Sequence, residues 1–185
     1  MTDRDPRDDL ILHLGPLRAF AMSLVRNDHA ADDLVQDTIL KAWSKFDKFE
    51  PGTNLRAWLF TILRNGFYSN LRKHRREVAD VDGIHAARLS QMPEHDGRLA
   101  MRDFNVAFEQ LIVEQREALT LVGALGFSYE EAAQTIGCAV GTVKSRVNRA
   151  RRRLAELLLL EEGASLVTVN GGGSRDSKVL LPTYG

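Results

Sequence analysis

The sequence predicts an all-α protein: two small helical domains joined by a flexible linker. Apolar residues recur at helical spacing through most of the chain, and no stretch of consequence alternates apolar and polar residues as a half-buried strand would. The periodicity breaks over residues 77–97, where Glu77-Val-Ala-Asp-Val-Asp-Gly and Gln91-Met-Pro-Glu-His-Asp-Gly read as a connector. Helical spacing then resumes and ends in a tail containing Gly171-Gly-Gly-Ser, which reads as flexible. These signals divide the chain into a domain at 1–76, a linker at 77–99, a second domain at 100–162 and a tail at 163–185.

The first helix is expected over about 10–26, where Leu10, Leu14, Leu17, Phe20, Ala21 and Leu24 share a face. Asp28 is a plausible N-cap for a second, running to about Phe46. Its buried stripe is expected to be Ala31, Leu34, Val35, Thr38, Ala42, Trp43 and Phe46, and its other face presents Asp33, Gln36, Asp37 and Leu40. By spacing alone that second face is an ordinary solvated one. A loop with Pro51-Gly52 as its turn signal leads to a third helix, capped by Thr53 or Asn54 and reaching about Lys73. Leu55, Trp58, Leu59, Ile62, Leu63, Phe67 and Leu71 are its apolar positions, and Trp43 and Trp58 are expected in the core. Arg72, Lys73, Arg75 and Arg76 follow, complementing the helix dipole and suited to phosphates. Two further helices are expected near 99–111 and 114–125.

Residues 128–153 carry the sharpest signal. Ser128 and Glu131 have the spacing of a capping box, and Tyr129, Ala132, Ala133 and Ile136 form one apolar face. Gly137 suits the left-handed position that ends a helix. The next helix buries Val140, Val143, Val147, Ala150 and Leu154, and through Arg153 it carries Lys144, Arg146, Arg149, Arg151, Arg152 and Arg153 with no anion among them. Two short helices, a tight turn and a cationic second helix are how a helix-turn-helix presents a DNA-reading helix. Lys144, Ser145, Asn148, Arg149 and Arg152 project from its outer side, and such side chains bond base edges or grip phosphate.

The whole chain has a formal net charge of zero, but the charge is unevenly placed. Residues 1–76 carry +3 and 139–153 carry +6, separated by −3 over 77–103 and −4 over 104–138. Two basic zones held apart by acidic ones point to two nucleic-acid contacts. The single cysteine, Cys138, excludes an internal disulfide, and the five histidines lack metal-ligand spacing, so no metal or cofactor is expected. No paired carboxylates, nucleophile-base arrangement or phosphate loop suggests catalysis, so the chain is not expected to be an enzyme. The N-terminus is too charged for a signal peptide and no 18-residue apolar run exists, which implies the cytoplasm and no membrane contact.

Three segments in order resemble the extracytoplasmic-function class of bacterial sigma factors, the promoter-specificity subunits of RNA polymerase. Asp32-Asp-Leu-Val-Gln-Asp-Thr-Ile-Leu-Lys-Ala-Trp43 is similar to the region that binds the polymerase clamp. Asn54-Leu-Arg-Ala-Trp-Leu-Phe-Thr-Ile-Leu-Arg-Asn65 is similar to the promoter-opening region, and Tyr129 to Arg153 to the −35-reading helix-turn-helix. Leu10-Ile-Leu-His-Leu-Gly-Pro-Leu-Arg-Ala-Phe-Ala and Tyr68-Ser-Asn-Leu-Arg-Lys-His-Arg-Arg most resemble the general-stress-response subgroup of alphaproteobacteria.

The resemblance implies a sigma region 2 bundle followed by a region 4 helix-turn-helix. It implies that Asp33, Gln36, Asp37 and Leu40 meet core polymerase. It further implies that Phe49, Asn65 and Tyr68 meet unpaired −10 bases, with Arg72, Lys73, Arg75 and Arg76 on the backbone. Lys144, Ser145, Asn148 and Arg149 would face −35 bases, with Arg146, Arg151 and Arg152 nearer phosphates. The partners implied are core polymerase, promoter DNA and a small, mostly helical anti-sigma factor, with no small-molecule substrate. The competing readings are a sigma-like decoy that sequesters an anti-sigma factor, disfavoured by the intact basic helix, and a repressor acting without polymerase, which leaves residues 28–76 unexplained.

Overall fold

The computed structural model describes residues 6–50, 52–79 and 96–158. The expected tail at 163–185, most of the linker, and the last turn toward Leu160 lie outside the described residues. Seven α-helices and no strand occur among those described. They are α1 (Leu14–Val25), α2 (Asp28–Ser44), α3 (Leu55–Ala79), α4 (Asp96–Glu109), α5 (Val113–Leu119), α6 (Tyr129–Ile136) and α7 (Val140–Leu157).

The first expected helix is divided: Pro6–His13 forms a 3-10 helix and α1 begins only at Leu14. Leu17, Phe20, Ala21 and Leu24 nevertheless make one buried face, while Leu14 is 40% exposed. The N-cap of α2 is Asn27 rather than Asp28: Asn27 has extended backbone and its Oδ1 accepts from the Ala30 amide at 2.9 Å. Asp28 instead accepts from Arg18 at 3.0 Å. In the α2 stripe even Thr38 is buried, because its hydroxyl donates to the Leu34 carbonyl at 2.7 Å. Gly66 lets α3 lie close against α2, since a Cβ there would stand 3.3 Å from Leu34 Cδ1.

Trp43 departs from its expected place and is 56% exposed. It continues the line Gln36–Leu40–Trp43, spaced i, i+4, i+7, so helical phase puts it on the outer face of α2. The loop after α2 buries aromatics instead: Phe46, Phe49 and Trp58 pack together, with Phe49 and Trp58 centroids 5.2 Å apart.

In the second half, α5 runs into a π-helical turn at Thr120–Ala124, closed by the Leu125 amide donating to the Thr120 carbonyl at 2.9 Å. Ser128 then starts α6 with both bonds of the capping box: its hydroxyl accepts from Glu131 N at 3.1 Å, and its amide donates to Glu131 Oε2 at 2.8 Å. Gly137 ends α6 at φ 75°, in the left-handed region that a Cβ disfavours. Val143, Val147, Ala150 and Leu154 form the buried stripe of α7. Ala150 and Leu154 pack with Ala107 and Leu111 in a smaller cluster beside α4.

The halves share a core. Leu17, Phe20, Leu34, Leu59, Phe60 and Leu63 belong to the same apolar cluster as Leu121, Phe127, Ile136, Val143 and Val147. The ring of Phe60 stands 5.3 Å from Phe20 and 5.0 Å from Phe127, joining them across the divide. Ser128→Ala removes one arm of the capping box and is expected to cost about 1 kcal/mol. At this chain length that lowers Tm by roughly 2–4 °C in a thermal melt. No change in Tm would mean that tertiary packing alone fixes the start of α6.

Candidate nucleic-acid interface

On α7, Lys144, Asn148, Arg149, Arg152 and Arg153 are exposed opposite the buried stripe, and Ser145 and Arg151 lie at its margins. Arg149 is folded along the helix: its Nη2 donates to Ser145 Oγ at 2.9 Å and its Nε to the Ser145 carbonyl at 3.3 Å. Ser145 in turn donates to the Thr142 carbonyl at 3.0 Å, which ties the reading face to the first turn. Lys144 Nζ stands 5.6 Å from the Tyr129 ring, a cation–π contact between the two helices of the motif.

Arg146 does not share the outer face. It sits beside the Val143–Val147–Ala150 stripe, and its Nη1 is buried without a hydrogen-bond partner. Its charge favours the ionised forms of Glu117 and Tyr68, against the effect of their burial. In this conformation it is an inward cation rather than a phosphate contact.

On α3, Asn65 is exposed, as are Arg72, Lys73, Arg75 and Arg76 toward its C-terminal end. Arg76 Nε donates to the Arg72 carbonyl at 3.3 Å. Tyr68 is half-buried under the Arg64 guanidinium, 4.6 Å above its ring centre, and its hydroxyl lies 3.5 Å from Glu117 Oε2. Burial first, and the Glu117 carboxylate second, push its phenol up to about 12. Phe49 differs from expectation. Only 8% exposed, it is committed to the cluster with Phe46 and Trp58 and is not presented to a base in this conformation.

On α2, Asp33, Gln36, Asp37 and Leu40 all stand exposed on one face, Leu40 at 62%. Leu40 and Trp43 make an apolar centre with carboxylates at its edge, a surface suited to a basic helix. Arg18 donates to Asp32 at 2.6 Å beside this face, and that bond holds the Asp32 carboxyl below the usual range. An apolar groove lined by Leu14, Val35, Ile39 and Leu40 runs alongside.

Sequence reasoning missed the polar groups between the halves. Arg64 Nε donates to Glu117 Oε1 at 2.6 Å, and the Glu117 side chain is fully buried. Burial pushes its carboxyl upward against the pull of Arg64. Arg116 is also buried, donating to the carbonyls of Ser23 at 2.7 Å, Leu24 at 3.4 Å and Leu111. Arg56 lies 4.3 Å from the Phe127 ring centre and donates to the Leu125 carbonyl. One signal for Glu117 exists: Val113, Glu117 and Leu121 are spaced i, i+4, i+8, which places a carboxylate inside an apolar line.

A helix-turn-helix with an outward cationic face, in one chain with a long helix ending in four cations, defines a bipartite helical DNA-binding protein. Residues 11–77 match the family model for Sigma-70 region 2, and residues 102–154 match Sigma-70, region 4. The chain is 56% identical over 155 residues to the ECF RNA polymerase sigma factor EcfG of Rhodopseudomonas palustris, covering 84% of this chain and 86% of that protein. It is 34% identical over 158 residues to the ECF RNA polymerase sigma factor SigE of Mycolicibacterium smegmatis, covering 82% and 61%. Among solved structures it resembles the sigma factor RpoE in complex with the anti-sigma factor NepR from Bartonella quintana. That likeness has a TM-score of 0.77 and 55% identity, over 83% of this chain and 96% of that one. The chain belongs to the extracytoplasmic-function family of RNA polymerase sigma factors, and is a transcription initiation factor rather than an enzyme. Among the described residues no helix is long and apolar enough to cross a membrane.

Tyr68 gives a direct check on this geometry. Of the three tyrosines, one is expected to titrate late, near pH 12, in a spectrophotometric titration of the native protein, and Tyr68→Phe should abolish that phase. The folded state holds this proton more tightly than the unfolded chain, whose phenols titrate at about 10. The associated stability is therefore complete below pH 10 and lost as pH rises toward 12. All tyrosines titrating together near 10 would refute the burial of Tyr68.

Proposed function

We propose that this chain binds core RNA polymerase through the α2 face of Asp33, Gln36, Asp37 and Leu40, extended by Trp43, and directs it to promoters. In this reading Lys144, Ser145, Asn148 and Arg149 face −35 bases, and Arg151 and Arg152 meet the backbone. Asn65 and Tyr68 engage unpaired −10 bases, an amide for edge recognition and a phenol for stacking, while Arg72, Lys73, Arg75 and Arg76 hold the strand. Capturing separated bases shifts the duplex toward its open form and requires no catalytic group. The observation that carries the reading is the occurrence of both sigma modules, in order, with exposed cations on the helix of each. Phe49 and Arg146 join these surfaces only after a change in conformation.

The resemblance of residues 10–21 and 68–76 to the general-stress-response subgroup supports control of stress-response genes, and the likeness to RNA polymerase sigma factors supports action in the cytoplasm, where polymerase and promoters meet. The relative crystallised with NepR supports a small helical anti-sigma factor as regulator. Run-off transcription with core polymerase on a promoter library, with and without this chain, tests the function. The chain should select new start sites. Binding of an anti-sigma factor with neither core binding nor start-site selection would favour the decoy reading instead.

Arg149→Ala is expected to relax preference at one −35 position by about 1–3 kcal/mol of discrimination. Arg72→Ala should weaken binding alike across sequences and reduce the slope of log K against log salt by about 0.7–0.9. Binding titrations of the holoenzyme on matched and mismatched promoters over a salt series measure both, and an exchange of the two patterns would overturn the assignments.

A further inference from the structure

We propose that Ser145 is a positioning residue of the reading helix: its hydroxyl folds Arg149 back one helical turn and fixes which edge of the guanidinium is offered to a base. This rests on the reading of Arg149 as a −35 contact and deepens it. Arg149 lies in the third turn of α7, whereas a reading helix contacts base edges with its N-terminal residues. Extended outward from that turn, an arginine is placed to meet the phosphate backbone. Here Nη2 donates to Ser145 Oγ at 2.9 Å and Nε to the Ser145 carbonyl at 3.3 Å, so the cation lies beside the second turn instead. The carbonyl contact is at the long limit for such a bond, and the hydroxyl is what holds the side chain back.

The donors and acceptors of the two groups assign them different tasks. A hydroxyl has one proton and two lone pairs. The Ser145 proton goes to the Thr142 carbonyl at 3.0 Å, one lone pair goes to Arg149, and the residue is half-buried. Its effect on DNA therefore runs through Arg149. A guanidinium carries its N–H donors in a fixed planar fork. Nε–H and the Nη2–H parallel to it form the lateral pair, and both are turned to Ser145. The terminal pair, one N–H each from Nη1 and Nη2, points onward along the side-chain axis. That pair is the one that matches O6 and N7 of guanine.

Order is the second consequence. A long side chain loses rotamer freedom when it binds, and a bond made beforehand removes part of that loss. Ser145 is itself anchored on the first turn of α7 through Thr142, so the guanidinium is fixed to the helix backbone rather than to a mobile neighbour. Other cations of this face are held differently: Lys144 stands 5.6 Å from the Tyr129 ring, and Arg153 pairs with Glu156 at 3.1 Å. Without the Ser145 hydroxyl, Arg149 is free to extend toward a phosphate, a contact that carries no sequence information.

Ser145→Thr and Ser145→Val test this as a pair. The two introduced side chains are nearly the same shape, and a helical threonine hydroxyl still bonds the carbonyl one turn back. Holoenzymes carrying either change, Arg149→Ala, or Ser145→Val together with Arg149→Ala are titrated on promoters varied at each −35 position in turn. Ser145→Val should lower discrimination about two- to tenfold at the position where Arg149→Ala lowers it, and Ser145→Thr should preserve it. In the Arg149→Ala background, Ser145→Val should alter no −35 preference further. Equal discrimination by the Ser145→Thr and Ser145→Val proteins would overturn the proposal. So would an effect of Ser145→Val that persists without Arg149, since the hydroxyl would then meet the base itself. Arg149→Ala with every −35 preference intact would instead defeat the reading of Arg149, and the proposal with it. NMR of the free wild-type chain checks the geometry without any variant. The Arg149 Nε–H should be resolved and protected from exchange, with one side-chain rotamer, and a side chain averaged like that of exposed Arg152 would overturn the assignment.

Discussion

The buried carboxylate of Glu117 is the constraint around which the two halves are arranged. A charge with no exposed surface is tolerated only where a counter-charge and hydrogen bonds replace water. The second half cannot supply these alone. Arg64 of α3 provides the short bond, Tyr68 brings a hydroxyl near the other oxygen, and Arg146 adds positive potential from α7. If the halves part, Glu117 regains water and the cost of its burial vanishes. The group that sets the register of the contact thus adds little to its net stability.

Apolar packing supplies the attraction and polar groups choose the geometry. Phe20, Phe60 and Phe127 form a continuous row of rings across the boundary, an attraction that is not directional. Arg116, reaching carbonyls at the end of α1 and before α5, accepts only one placement of the two helices. The π-helical turn at Thr120–Ala124 contributes by aiming the Leu125 carbonyl and the Phe127 ring at Arg56 and Phe60.

Local chemistry was legible in the sequence wherever neighbours along the chain decide it. The Ser128–Glu131 box, the left-handed Gly137 and the stripes of α2 and α7 follow from spacing and side-chain type. Trp43 was misplaced because helical phase names a face, whereas hydrophobicity names a preference, and here the face prevails. Phe49 and Arg146 stand covered in this conformation for a different reason. Each was expected to meet DNA, yet which neighbour covers it depends on how the elements pack. Likewise the sequence implied two domains and a linker, while the shared core between them rests on pairs such as Arg64 and Glu117 that are 53 residues apart.

A reader of two distant DNA elements gains specificity when neither half binds well alone. Each half presents a few side chains able to bond base edges beside several cations suited to phosphate, and such a surface alone settles on any duplex. In the structure the Arg64–Glu117 pair and the Phe60–Phe127 contact cover part of α3. Joining two such surfaces in one chain makes the second contact an intramolecular event. Discrimination then comes from two contacts made together, each weak by itself. The neutral total charge fits this arrangement: the acidic segment containing Glu117 meets the basic face of α3.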